Sequence, residues 1–196
     1  MAITKTKKPA PSKKQTPVKK TNNRTDHESA PKDTAIKPFD VSLEDLFKSD
    51  LKDMLWAENH LVAAIPKMID AAKTPELKKA LNSHLKETIQ QVTRLKTVFE
   101  QLDLPAIPKK CDAMEGLTLS GEHTIDNTYP GTAGRETGII NSGIKVEQFE
   151  ITSYNGLIKM AGKLGYHDAV EIFKQNLQEE MAASEKLNAL NDSSSK

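Results

Sequence analysis

The sequence lacks most features of the specialised protein classes. It has one cysteine, Cys111, among 196 residues. That excludes an internal disulfide framework and a cysteine-based zinc site, and it points to a reducing, cytoplasmic setting. Nine glycines, one Trp, three Tyr and five Phe are few for an all-β chain, so helix is favoured. No stretch of about 18 apolar residues occurs, and no membrane span is expected. The first residues are basic without an apolar core, so no secretory leader is expected either. There is no glycine-rich phosphate loop, Ser–His–Asp set or zinc motif.

Net charge also looks scarce, at +1, but the charges are segregated. Residues 1–37 hold 10 basic and 3 acidic side chains, a charge of +7, while the remainder holds 18 and 24, a charge of −6. The first stretch has only isolated large apolar residues (Ile3, Val18, Ile36) among Lys, Thr, Pro and Ser. It cannot bury enough surface to offset its ordering entropy, so it reads as a disordered basic tail. Such a tail either solubilises the protein or meets DNA or another polyanion. Having no aromatics, it offers charge without base stacking.

The rest, residues 38–192, reads as an all-α, four-helix bundle. Ser42-Leu-Glu-Asp45 resembles a capping box. The apolar seam Phe47, Leu51, Met54, Glu58, Leu61, Ile65, Met68, Ala72 then alternates steps of four and three, the period of a helix packed in a bundle. Pro66 predicts a local kink. Thr74 is a candidate N-cap before Pro75 at the first helical position. The second helix is predicted over 75–102, with the seam Leu77, Leu81, His84, Thr88, Gln91, Leu95, Val98, Leu102. A long crossover follows, with a short helix over about 111–125. The third main helix is predicted over 136–164, with the seam Ile140, Ile144, Glu147, Ile151, Tyr154, Ile158, Ala161, ending at Gly165. The fourth is predicted over 168–190, with the seam Tyr166, Val170, Phe173, Leu177, Glu180, Ser184, Leu187. Two antiparallel hairpins joined by a long crossover result.

Three of these seams carry a glutamate at a core position: Glu58, Glu147 and Glu180. The remaining seam carries His84, Thr88 and Gln91, flanked by Glu87. Mid-helix positions of antiparallel helices share a level, so these groups converge. Buried carboxylates need partners or a cation, and the Lys and Arg residues lie mostly off the seams. One Glu at a core position more often snorkels or is out of register. The same breach in three helices points instead to a carboxylate-bridged dinuclear site. Oxygen ligands with few imidazoles suit iron or manganese. Glu150, one turn after Glu147, either joins the centre, is solvated, or bonds a tyrosine such as Tyr154 or Tyr166. Glu115 and Glu122 read as surface residues, as do His60, His123 and His167. Cys111 reads as a small buried hydrophobe.

Ala57-Glu-Asn-His-Leu61, His84-Leu-Lys-Glu-Thr88, Lys110-Cys-Asp-Ala-Met-Glu-Gly-Leu117, Lys145-Val-Glu-Gln-Phe-Glu-Ile-Thr-Ser-Tyr154 and Leu164-Gly-Tyr166 resemble the YciF-like family, also labelled DUF892, of the ferritin-like superfamily. The resemblance spans about residues 40–190 and leaves out the basic tail. It implies a ferritin-like bundle, a homodimer and an association with bacterial stress responses. Read from the residues themselves, Trp56 and the tyrosines pack between helices or at a dimer face. Ferritin-like dimetal proteins usually carry Glu-x-x-His on the second and fourth helices. Here Glu87 is followed by Gln90 and Glu180 by Ala183, and Gln148 stands where family members often have His. His84 is thus the one imidazole left to the site. The candidate ligand set is Glu58, Glu87, Glu147, Glu150, Glu180, His84 and Gln91. It either holds iron or manganese or, the metal lost, shares a proton between carboxylates. The competing expectation is a non-enzymatic dimeric scaffold whose tail binds DNA or another polyanion.

Overall fold

The computed structural model describes residues 41–193; the predicted tail over 1–37, with its polyanion reading, lies outside the described residues. Five helices follow in order: α1 (Leu43–Ala71), α2 (Pro75–Gln101), α3 (Asp112–Asp126), α4 (Ala133–Leu164) and α5 (His167–Ser193). Short turns make α1–α2 and α4–α5 antiparallel hairpins. Contacts of α1 with α4 and of α2 with α5 close the bundle, and α3 lies against α4 and α1. This is the expected ferritin-like bundle, with a short fifth helix in the crossover.

The helix ends follow capping chemistry. The Ser42 hydroxyl oxygen accepts from the Asp45 amide at 3.1 Å. The Asp45 carboxylate accepts the Ser42 hydroxyl proton at 2.6 Å, so it does not close a capping box on the Ser42 amide. Thr74 accepts from the Leu77 amide at 3.3 Å, with Pro75 opening α2 as predicted. Gly165 ends α4 in the left-handed region, at φ 80°. α1 continues unbroken through Pro66.

α4 begins three residues before the predicted start, because Thr132 caps it through the Arg135 amide at 3.3 Å. This leaves Glu136 one turn inside the helix, where it braces the α1–α2 turn. Its carboxylate accepts from the Lys73 amide at 2.7 Å, the Thr74 amide at 2.9 Å and the Thr74 hydroxyl. These bonds hold Glu136 below its ordinary carboxyl range against the desolvation of its buried position.

All predicted α2 seam positions from Leu77 to Val98 are buried. The α4 seam is rotated. Ile140, Glu147, Tyr154 and Ala161 are buried as expected, but the alternate positions are Gly143, Glu150 and Leu157 rather than Ile144, Ile151 and Ile158. Gly143 supplies a reason, since a Cβ there would stand 2.8 Å from Leu187 Cδ1 of α5. α5 is shifted likewise: Ala169 and Asn176 are buried, while Val170 and Leu177 are partly exposed.

The rotation divides the core. One apolar cluster gathers Phe47, Leu51, Leu95, Phe99, Leu157 and Phe173. The other gathers Leu61, Ile65, Leu77, Leu81, Ile140 and Leu187. Between them in each main helix lie the buried polar residues: Glu58 of α1; His84, Thr88 and Gln91 of α2; Glu147 and Glu150 of α4; Asn176 and Glu180 of α5.

Candidate metal centre

Each group in this polar layer is brought in by helical periodicity. Glu58 follows Met54 by four residues, Glu150 follows Glu147 by three, and Glu180 follows Asn176 by four. All therefore face the bundle axis. His84, Glu147, Glu150 and Glu180 each offer a ligand atom within 4.8 Å of the others. Metal–oxygen bonds of about 2.0–2.2 Å can span such a gap with small side-chain adjustments. His84 Nε2 lies 3.3 Å from Glu147 Oε1 and 3.9 Å from Glu180 Oε2, yet neither ring nitrogen makes a hydrogen bond.

The remaining predicted residues have other places. Glu58 is fully buried across the layer. One of its oxygens accepts the Tyr154 hydroxyl, and the other has no partner. Gln91 donates through its amide nitrogen to Glu180 and so orients that carboxylate; its own oxygen is left unpartnered. Glu87 stands at the edge, 29% exposed, with Oε2 at 3.9 Å from His84 Nδ1. Glu150 is fully buried with neither oxygen bonded, so it is neither solvated nor paired to a tyrosine.

Sequence reasoning missed a chain of polar contacts behind Glu58. Asn176 donates to the Tyr154 hydroxyl at 2.9 Å and accepts from Arg94 Nε at 2.6 Å; Arg94 also pairs with Glu179. The signal for Asn176 was its place one turn before Glu180. His60 is also not simply exposed: it stacks on Trp56 at 4.5 Å and meets Thr118 Oγ1 at 2.8 Å. Glu115 and Glu122 are tied to Lys110 and Lys67, away from the centre. Cys111 is buried as expected.

Electrostatics in the layer are unfavourable without a cation. Burial, then the neighbouring Glu180 charge, raises the carboxyls of Glu58, Glu147 and Glu150 well above their ordinary range. Burial raises Glu180 to about 7, with the neighbouring Glu147 carboxyl and the Gln91 amide holding part of the rise back. Burial, then the Lys186 charge, lowers His84 to about 4, leaving it a neutral imidazole able to ligate. Among the described residues, ten buried side-chain nitrogen or oxygen atoms lack a hydrogen-bond partner, and nine of them belong to Glu58, His84, Glu87, Gln91, Glu147, Glu150 and Glu180. Buried unpaired polar atoms each cost about 1–3 kcal/mol, so their concentration at one level calls for a ligand. The donor set, carboxylates with one imidazole, fits a divalent cation.

The sequence profile of a family described as a domain of unknown function, DUF892, matches residues 42–196. Protein YciF of Escherichia coli is 36% identical over 150 residues, 76% of this chain and 90% of that protein. The crystal structure of YciF, there named a stress protein, superposes with a TM-score of 0.75 at 35% identity, covering 78% of this chain and 96% of that one. YcfI from Rhodopseudomonas palustris superposes with a TM-score of 0.74 at 36% identity, covering 78% and 97%. A Xanthomonas campestris protein at 24% identity and a TM-score of 0.60 shares the fold alone, covering 77% and 90%. Among the described residues, no helix is long and apolar enough to cross a membrane.

Proposed function

This chain belongs to the DUF892 family, and on that premise we propose that it is a ferritin-like stress-response protein that binds iron or manganese through the carboxylates of its bundle core. The observation that carries the reading is the set of nine partnerless buried atoms at one level of the bundle. Glu147, Glu150, Glu180 and His84 form the holding group, with Glu58 as a further carboxylate ligand from α1 and Gln91 fixing Glu180. A dinuclear centre is the arrangement several shared carboxylates favour.

A bound iron or manganese ion would supply one-electron redox chemistry toward peroxide or O₂. The chain supplies the surroundings. On binding a cation, Glu58, Glu147 and Glu150 would release to solvent the protons that burial favours. Tyr154 and Asn176 hold Glu58 in place through its hydrogen-bonded oxygen. The apolar clusters on either side exclude water and strengthen every charge interaction between them.

Thermal unfolding checks this reading. After chelator treatment, adding Mn²⁺, or Fe²⁺ under anaerobic conditions, is expected to raise the Tm. At a hundredfold excess over Kd the gain is about 2.7 kcal/mol, or roughly 5–11 °C for a folded unit of this size. Glu180→Ala should show no rise. A wild type whose Tm ignores both ions would leave the carboxylates held by shared protons instead.

A further inference from the structure

We propose, resting on the metal reading above, that Glu87 receives divalent cations at the surface and passes them to the buried carboxylates, with Lys186 as the counter-charge that occupies Glu87 at the opening and opposes entry. Glu87 is unlike the other carboxylates of the centre. Its side chain is 29% exposed, whereas those of Glu147 and Glu180 are at most 2% exposed. The two oxygens face different surroundings. Oε1 lies 3.9 Å from Lys186 Nζ and 3.4 Å from the Ser83 hydroxyl, on the solvent side. Oε2 is buried without a hydrogen-bond partner, 3.9 Å from His84 Nδ1. The carboxylate thus spans the wall between solvent and centre.

A small cavity lies beside it between α2 and α5. Its volume is about 10 Å³, room for a single water-sized particle. Ala183 and Leu187 form part of its wall, and His84 and Glu147 reach it from the interior. Lys186, 49% exposed, stands with Glu87 at the outer side. A second cavity of about 30 Å³ also touches His84 and Glu147, from the α1–α3–α4 side. Its lining is mostly apolar (Leu61, Ile65, Leu117, Val146), and the charged pair at its rim, Lys67 and Glu122, is closed on itself at 2.6 Å. A cation shedding water on that route finds as replacement ligands only the Thr118 and Ser142 hydroxyls and a Glu122 already paired with Lys67. Along the Glu87 route it exchanges waters for one carboxylate oxygen at a time, and Lys186 both repels it and competes for Glu87.

The test is Co²⁺ uptake and release by the full chain, followed in stopped flow with a dye that reports free Co²⁺. Glu87→Gln is expected to slow uptake and release together by about tenfold, leaving the equilibrium affinity within about threefold. Lys186→Gln is expected to speed uptake at least threefold, and Lys174→Gln, on the same helix, to change it little. Affinity lost through faster release at unchanged uptake in Glu87→Gln would make Glu87 an ordinary ligand and overturn the proposal. So would equal effects of the two lysine variants. A wild type that takes up no Co²⁺ would overturn the proposal, and the metal reading falls with it only if Mn²⁺ and Fe²⁺ also leave the Tm unchanged.

Discussion

Replacing Glu150 with leucine is expected to stabilise the metal-free protein at pH 8 by about 2–4 kcal/mol, a Tm rise of about 5–15 °C, while abolishing stabilisation by added metal. Glu150 is fully buried between two apolar clusters and bonds through neither oxygen. Its carboxyl is raised well above 4.5 by burial and then by the Glu180 charge. Such a group binds its proton more tightly in the folded chain. Its stability contribution is complete below the unfolded value near 4.5 and is lost as pH rises through the folded value. For Glu180 that window runs from 4.5 to about 7, and Glu58, Glu147 and Glu150 share its direction. His84 opposes them. Lowered from 6.5 to about 4, it gains stability as pH rises through that interval. Four carboxylates outweigh one imidazole, so the metal-free wild type should unfold at a higher temperature at pH 5 than at pH 8. The leucine variant's advantage should shrink toward pH 5. Melting curves in chelator at both pH values check this. A leucine variant less stable than wild type at pH 8 would mean that Glu150 is satisfied without a cation.

Tyr154→Phe is expected to cost about 2–4 kcal/mol of folding stability, because one hydroxyl serves two partners. It donates to Glu58 and accepts from Asn176 at 2.9 Å. Its loss leaves Glu58 with both oxygens unpaired and strands the Asn176 amide, all in fully buried positions. The same change should weaken metal binding by roughly 10- to 100-fold, as loss of a ligand's supporting hydrogen bond typically does. Denaturant unfolding of Tyr154→Phe, Glu58→Leu and the double variant measures the linkage. The double variant should recover part of the loss. Strict additivity of the two losses would show that the hydroxyl does not act through Glu58.

The seams made most of this architecture legible. α2 is buried along the line read from sequence, and Glu58, Glu147 and Glu180 disclosed themselves as charges inside apolar periodicity. The two faces of α4 and α5 were harder. Isoleucine occupies 144, 151 and 158, and leucine occupies 177, so hydrophobicity alone favoured the wrong alternate positions. The deciding influence was contact between helices: Gly143 admits Leu187, and the rotated face carries Glu150 and Asn176 inward. The Arg94–Asn176–Tyr154–Glu58 chain joins four helices across long sequence separations. No local pattern encodes such a register. Glu136 escaped notice because its partners are the backbone amides of a turn 63 and 62 residues away.

The most direct test of the central claim is the metal content of the purified full chain. Wild type and the Glu58→Ala/Glu180→Ala double variant would be loaded anaerobically with Fe²⁺ or with Mn²⁺, freed of excess metal and measured by elemental analysis. The carboxylate layer predicts one to two ions per chain in wild type and essentially none in the variant. A wild type that retains no more metal than the variant would contradict it.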